Sequence, residues 1–168
     1  MKRRSALEFA LLASRVGFLA LGLFALPADA VTATSSFAVS VTVASTCLVS
    51  ATSMGFGTYT GQVAPASSTV SITCTNSTPY NVGLSAGLGT GATVTARKMT
   101  GPASALLAYE LFQDAGHSVG WGVTAGTDTV AGTGNGASQP ITVYGQIPTA
   151  QYVAPGAYAD TITVTVTY

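Results

Sequence analysis

The chain has 168 residues, about one domain's worth, with 48% apolar residues and only 7% Asp, Glu, Lys or Arg, where soluble chains carry about 25%. Six charges of each sign cancel, so the clustered cations that grip nucleic-acid phosphates are missing, and a nucleic-acid partner is excluded. The apolar fraction, with Gly, Thr, Ser and Ala in place of charge, also excludes an intrinsically disordered chain.

Residues 1–30 open on Lys2, Arg3 and Arg4, run through an apolar stretch at 16–26 and close on Ala28-Asp29-Ala30. That succession predicts a secretory signal peptide cut after Ala30. The apolar stretch is too short for a membrane anchor, which takes about 20 residues. The exported remainder keeps two cations, Arg97 and Lys98, against Glu110, Asp114, Asp128 and Asp160. Charge this sparse opposes association only weakly. It predicts a protein that packs against copies of itself or a partner.

A polar lead, residues 31–36, precedes an alternating segment in which Ala38, Ser40 and Thr42 separate Phe37, Val39, Val41 and Val43. Cys47 and Cys74 are the only cysteines. An even count in an oxidising compartment predicts a Cys47–Cys74 disulfide. A redox-active pair would have C-x-x-C spacing, which is absent. Gly55, Gly57, Gly61 and Pro65 then mark turns. Val70, Ile72 and Cys74 alternate with polar residues, as do Tyr80, Val82 and Leu84. A period of two rich in β-branched residues predicts strands with one buried face.

Gly83 and the glycines at 87–91 are expected to break the chain. Residues 103–113 could be helical, but Leu107, Tyr109 and Leu111 also alternate and predict a strand. His117 falls beside glycine in a turn and is expected to be solvated. Residues 124–138, rich in Gly, Thr and Ala, are expected as a loop or loose hairpin. The last segment sets Ile162, Val164, Val166 and Tyr168 against Thr161, Thr163, Thr165 and Thr167. Several short strands separated by Gly-rich turns predict an all-β sandwich or barrel in a single domain.

No catalytic constellation stands out. Ser118, His117 and Asp114 or Asp128 could be assembled into a relay, but the flanking AGHSVG lacks the G-x-S-x-G elbow. The carboxylates stand singly at turns or strand ends, where Asp is a turn former. Metal sites need several His, Cys or acidic ligands. The glycines at 132–136 have no following Lys or helix to make a phosphate loop. The sequon Asn76-Ser77-Thr78 is a chance-level match. Neither an enzyme nor a cofactor is expected.

The two ends carry the most information. An alternating segment with a complete apolar face and no Lys or Pro within it risks edge-to-edge pairing. Both ends can be ordinary strands of a closed sandwich, or one can be donated to a neighbouring subunit to complete its sheet.

Several blocks resemble the spore coat protein U domain family. They are the alternating N-terminal segment, Cys47 followed by Phe56-Gly57, Ser71-Ile72-Thr73-Cys74, the block at 107–114 (LAYELFQD), that at 141–147 (ITVYGQI) and that at 155–168 (PGAYADTITVTVTY). This family includes major subunits of archaic (Csu-type) chaperone–usher pili. The resemblance implies an incomplete immunoglobulin-like β-sandwich over residues 44–168, completed by a donor strand from a neighbour's N-terminal extension, residues 31–43. It implies a periplasmic chaperone, an outer-membrane usher and identical or related pilin subunits as partners, and a place on the cell surface. Phe37, Val39, Val41 and Val43 would be the donor side chains. Ile162, Val164, Val166 and Tyr168 would form the strand that lines the groove and pairs first with the chaperone. The implied function is a structural pilus subunit serving attachment and biofilm formation. A spore-coat or other surface-layer protein is the alternative within the family. A secreted carbohydrate-binding module using Tyr59, Tyr109, Trp121, Tyr144, Tyr152 and Tyr158 is a third reading, though such aromatics equally fill a sandwich core and rim.

Overall fold

A computed structural model describes residues 29–168; all but the last two residues of the expected signal peptide lie outside that range. The chain divides into two units, Met1–Ser40 and Val41–Tyr168. The described part of the first, residues 29–40, holds no helix or strand. The alternating segment at 37–43, read from its pattern as a strand, is likewise outside any strand, and Phe37, Val39, Val41 and Val43 are 88%, 84%, 88% and 79% exposed. Alternation sorts side chains to two faces, but a strand also needs a ladder partner.

The second unit is all β. Its strands are β1 (Cys47–Ala51), β2 (Ala64–Cys74), β3 (Pro79–Leu84), β4 (Arg97–Thr100), β5 (Leu106–Phe112), β6 (Val130–Thr133), β7 (Gln139–Ile147) and β8 (Val164–Thr167), with one 3-10 turn at Pro102–Ser104. They form a five-stranded sheet in the order β1-β2-β7-β5-β4 and a three-stranded sheet in the order β6-β3-β8, with antiparallel pairing throughout. The two sheets enclose a core of Val70, Ile72, Tyr80, Val82, Leu84, Leu107, Tyr109, Leu111, Trp121, Val143 and Ile147. All but Trp121, which lies in the loop after β5, are alternating positions of β2, β3, β5 and β7, so period two places most of the core. The Cys47–Cys74 disulfide joins residues that face each other in register and closes the end of the β1–β2 ladder.

Four expectations need correction. Gly83 does not break the chain; it lies inside β3, where a Cβ would come within 3.2 Å of the Val123 Cα and 3.3 Å of the Gly122 carbonyl oxygen. The residue is glycine because another stretch of backbone lies against it. Residues 124–138 contain β6, paired to β3. Ile162 and Tyr168 fall outside β8. His117 is half-buried rather than solvated: its ring meets Phe112 edge-on at 5.2 Å and Tyr144 at 6.4 Å.

Candidate functional site

The informative region is where β8 and β1 end their sheets. β8 pairs with β3 so that Val164 faces Leu84 and Val166 faces Val82. The Ser85 N–H donates to the Thr163 carbonyl at 3.0 Å, while the Leu84 N–H turns away to the Gly122 carbonyl at 2.8 Å. Antiparallel ladders alternate bonded and non-bonded pairs. Thr163, Thr165 and Thr167 therefore direct their backbone groups at β3, and Val164 and Val166 direct theirs outward. No strand of this sheet lies beyond β8 among the described residues, so that row is an open edge.

The side chains tell the same story. Cross-strand partners point to the same face. Leu84 and Val82 are 1% and 0% exposed, yet Val164 and Val166 opposite them are only half-buried. At the edge of the other sheet, Val49 faces the fully buried Ile72 and is itself 45% exposed; Ala51, opposite Val70, is also exposed. Between these edges lies a groove of about 430 Å3. Val70, Leu84, Met99, Leu111 and Val143 line it together with Ala51, Ile162 and Val164. A strand laid along β8 would cover what these core-facing side chains leave open.

One corner of the groove is polar and fully bonded. The Asp160 carboxylate accepts from the Tyr109 hydroxyl and from the Leu88 and Thr161 N–H groups, each at 2.7 Å. Burial, and then the bond to Asp160, push the Tyr109 hydroxyl above its ordinary range. Behind it lies Arg97, fully buried. Its guanidinium donates to the Leu84 and Ser85 carbonyls at 2.9 Å and to the Val94 and Trp121 carbonyls at 2.6 Å. Burial lowers its pKa, and the carbonyl oxygens stabilise the charge that burial disfavours. The charge inventory of the sequence treats Arg97 as an ordinary cation. The usable signal is period two: Arg97 and Met99 share a face of β4 and are both buried, while Lys98 and Thr100 are not.

The sequence-derived site residues fall into three groups. Ile162 and Val164 meet at the groove, with Val166 farther along the same edge and Tyr168 58% exposed. Cys47 and Cys74 are bonded. Phe37, Val39, Val41 and Val43 stand exposed. Asp114, His117 and Ser118 do not form a relay. The Ser118 hydroxyl donates to Asp114 at 2.8 Å, and the Ser118 and Val119 N–H groups donate to the same carboxylate. These bonds, Val119's foremost, hold Asp114 below the usual carboxylate range and fix the turn. His117 turns instead to the aromatic rings, with its Nε2 buried and unpartnered among the described residues. Among those residues no group of three or more His, Cys, Asp or Glu could hold a metal ion.

Comparison with known proteins fits this geometry. Protein U of Myxococcus xanthus is 33% identical over 159 residues, covering 84% of this chain and 88% of that protein. A chain in the crystal structure of the CsuC–CsuE chaperone–tip adhesion subunit pre-assembly complex, from archaic chaperone-usher Csu pili of Acinetobacter baumannii, superposes with a TM-score of 0.58 at 26% identity. That match covers 76% of this chain and 40% of the other, so the present chain spans less than half the length of that relative. The Escherichia coli Hda pilus minor tip subunit HdaB aligns at a TM-score of 0.36 and 18% identity, over 71% of this chain and 79% of that one. Residues 33–165 match the Spore Coat Protein U domain, and with that span, the all-β sandwich and the relationship to Protein U, the chain belongs to the Spore Coat Protein U domain family.

Proposed function

We propose that this chain is a structural subunit of a surface pilus, built by donor-strand exchange through a chaperone–usher pathway. The observation that carries the reading is the pair of open edges: Val49 and Val164 face the interior opposite fully buried partners, yet among the described residues both stay partly open. A groove with an outward-facing backbone row takes a strand. The chain's own exposed alternating segment, Phe37, Val39, Val41 and Val43, has the right pattern to supply one to the next copy. Four such side chains, at about 1.5–3 kcal/mol each, contribute about 6–12 kcal/mol before ordering costs. Residues 31–43 then act as the donor extension and residues 44–168 as the accepting body.

A periplasmic chaperone covers the β8 edge first, an outer-membrane usher exports the subunit, and identical or related subunits follow one another into a fibre. Attachment and biofilm formation are the roles of such a fibre. The likeness to a chain from a chaperone–tip adhesion subunit complex supports the chaperone. The decisive experiment is Val41→Asp, which would place an unpaired carboxylate in an apolar groove at a cost of several kcal/mol. Heat-resistant subunit ladders on unboiled gels should vanish while the monomer is still made. Persistent ladders would show that this segment is not the donor.

The family's description favours a second reading, a coat or surface layer assembled without a chaperone. Normal folding and export of the chain in cells that lack any such chaperone would establish it.

A further inference from the structure

After β1 the chain leaves the sheets, and over residues 52–59 it is tied down at two anchors among the described residues. The Thr52 N–H donates to the Thr69 carbonyl at 2.9 Å, and the Thr52 hydroxyl oxygen accepts from the Thr69 N–H at 2.9 Å. The Tyr59 hydroxyl donates to the Pro148 carbonyl at 2.6 Å and accepts from the Gln151 N–H at 3.1 Å. Residues 53–58, between the anchors, make no hydrogen bond among the described residues. Two half-buried side chains hold this stretch, Met54 and Phe56, while Ser53, Gly55, Gly57 and Thr58 are exposed. Both lie over Gly145 of β7, where an added Cβ would collide with the Met54 Sδ and come within 2.9 Å of the Phe56 Cζ. Phe56 also meets the Tyr109 ring edge-on at 6.0 Å.

Met54 and Phe56, together with Met99 and Tyr158, form a partition. On one side is the groove of about 430 Å3; on the other is a second cavity of about 810 Å3 beneath residues 57–61 and 151–158. All four side chains line both spaces. Gly55 and Gly57 flank Phe56 with nothing within 4 Å of a Cβ position, and Gly57 sits at a φ of +69°.

We propose that residues 53–58 are a displaceable strap: Met54 and Phe56 fill one end of the groove from within the subunit, and the strand of a second copy evicts them as it seats. This rests on the strand-donation reading. Releasing a laddered segment would break a bond at every second residue, but releasing this one breaks none. The barrier is only the burial of two side chains, which the incoming apolar residues replace. Eviction widens the opening between the two cavities, with Met99 and Tyr158 left as their shared wall. The strap therefore shields apolar surface before assembly without locking the site.

The test uses the full exported chain carrying Val41→Asp, so that its own segment does not compete, and a fluorescent peptide of residues 36–44. Phe56→Ala and Met54→Ala should each speed peptide capture several-fold, since fully burying such a side chain is worth about one factor of ten or more and these two are half-buried. Gly145→Ala expels both side chains without truncating either, and should accelerate capture even if the truncated variants fold poorly. Chymotryptic cleavage after Phe56, which is half-buried before capture, should speed up when the peptide binds. Capture at an unchanged rate in all three variants, or cleavage after Phe56 that stays level or slows, overturns the strap alone. A peptide that no variant captures overturns strand donation, and the strap with it.

Discussion

The Tyr109 hydroxyl donates to the Asp160 carboxylate across 2.7 Å, tying β5 to the segment that leads into β8 at the edge of the groove. Tyr109→Phe keeps the ring and removes this bond, leaving Asp160 with its two backbone donors. The expected loss is about 1.5–3 kcal/mol, the range for a bond to a charged group. The pH dependence has a definite sign. Because burial and Asp160 raise the Tyr109 pKa above its ordinary 10.0, the folded state keeps the proton longer than the unfolded chain. The stabilisation is complete below about pH 10 and is lost as pH rises through the higher folded value. Urea unfolding of wild type and Tyr109→Phe should show a constant gap up to about pH 10 and a closing gap above it.

Arg97 should be among the least replaceable residues of the body. Arg97→Met leaves the buried Leu84 and Trp121 carbonyls without partners, at about 1–3 kcal/mol each. Arg97→Lys should be nearly as damaging, because one ammonium cannot present the planar fork that reaches four carbonyls. Urea midpoints of purified chaperone-bound or peptide-completed subunit measure both, and a loss below about 1 kcal/mol for Arg97→Met would contradict this account.

Reducing the Cys47–Cys74 bridge, or Cys47→Ser, frees a loop with a sequence separation of 27, which is worth about 3–4 kcal/mol on the chain-entropy account. Because the bridge closes the β1–β2 ladder, the loss should appear first as faster amide exchange along β1. Alkylation before and after reduction checks the bond itself: protein taken from cells should show no free thiol until reduced.

The two faces of β8 should respond oppositely. Val164 lines the groove and Thr165 is exposed. Val164→Asp should abolish subunit ladders, since an unpaired buried charge costs several kcal/mol. Thr165→Asp, on the solvent side, should leave them intact. Equal effects of the two would place the accepting face elsewhere.

Much of this fold is legible in sequence because side-chain alternation and burial have the same cause. Val70, Ile72 and Cys74, then Tyr80, Val82 and Leu84, then Leu107, Tyr109 and Leu111 all alternate and all turn inward. What alternation cannot reveal is which strand finds a partner. Residues 37–43 alternate as well as any, yet they form no strand. Conversely β6 hides in a Gly-rich stretch because ladder bonds use only backbone, and because Gly132 makes room for the Tyr80 ring directly opposite. Gly83 misleads for a related reason, its lack of a side chain serving a close approach rather than a turn. The groove follows from two edges far apart in sequence, so no local window displays it. Asp160 as a hub, with donors from Leu88 and Tyr109, is equally invisible before the fold exists.

The four carbonyls around Arg97 also bear on how this body comes together. They belong to the end of β3, the turn before β4 and the loop after β5. A guanidinium cannot shed its water in instalments, because until the last of these segments arrives the charge is better solvated outside. Segments far apart in the chain must therefore converge before any of them gains from the contact. The end of β3, the turn before β4 and the loop after β5 thus gain most from the contact when all three have met around the one cation.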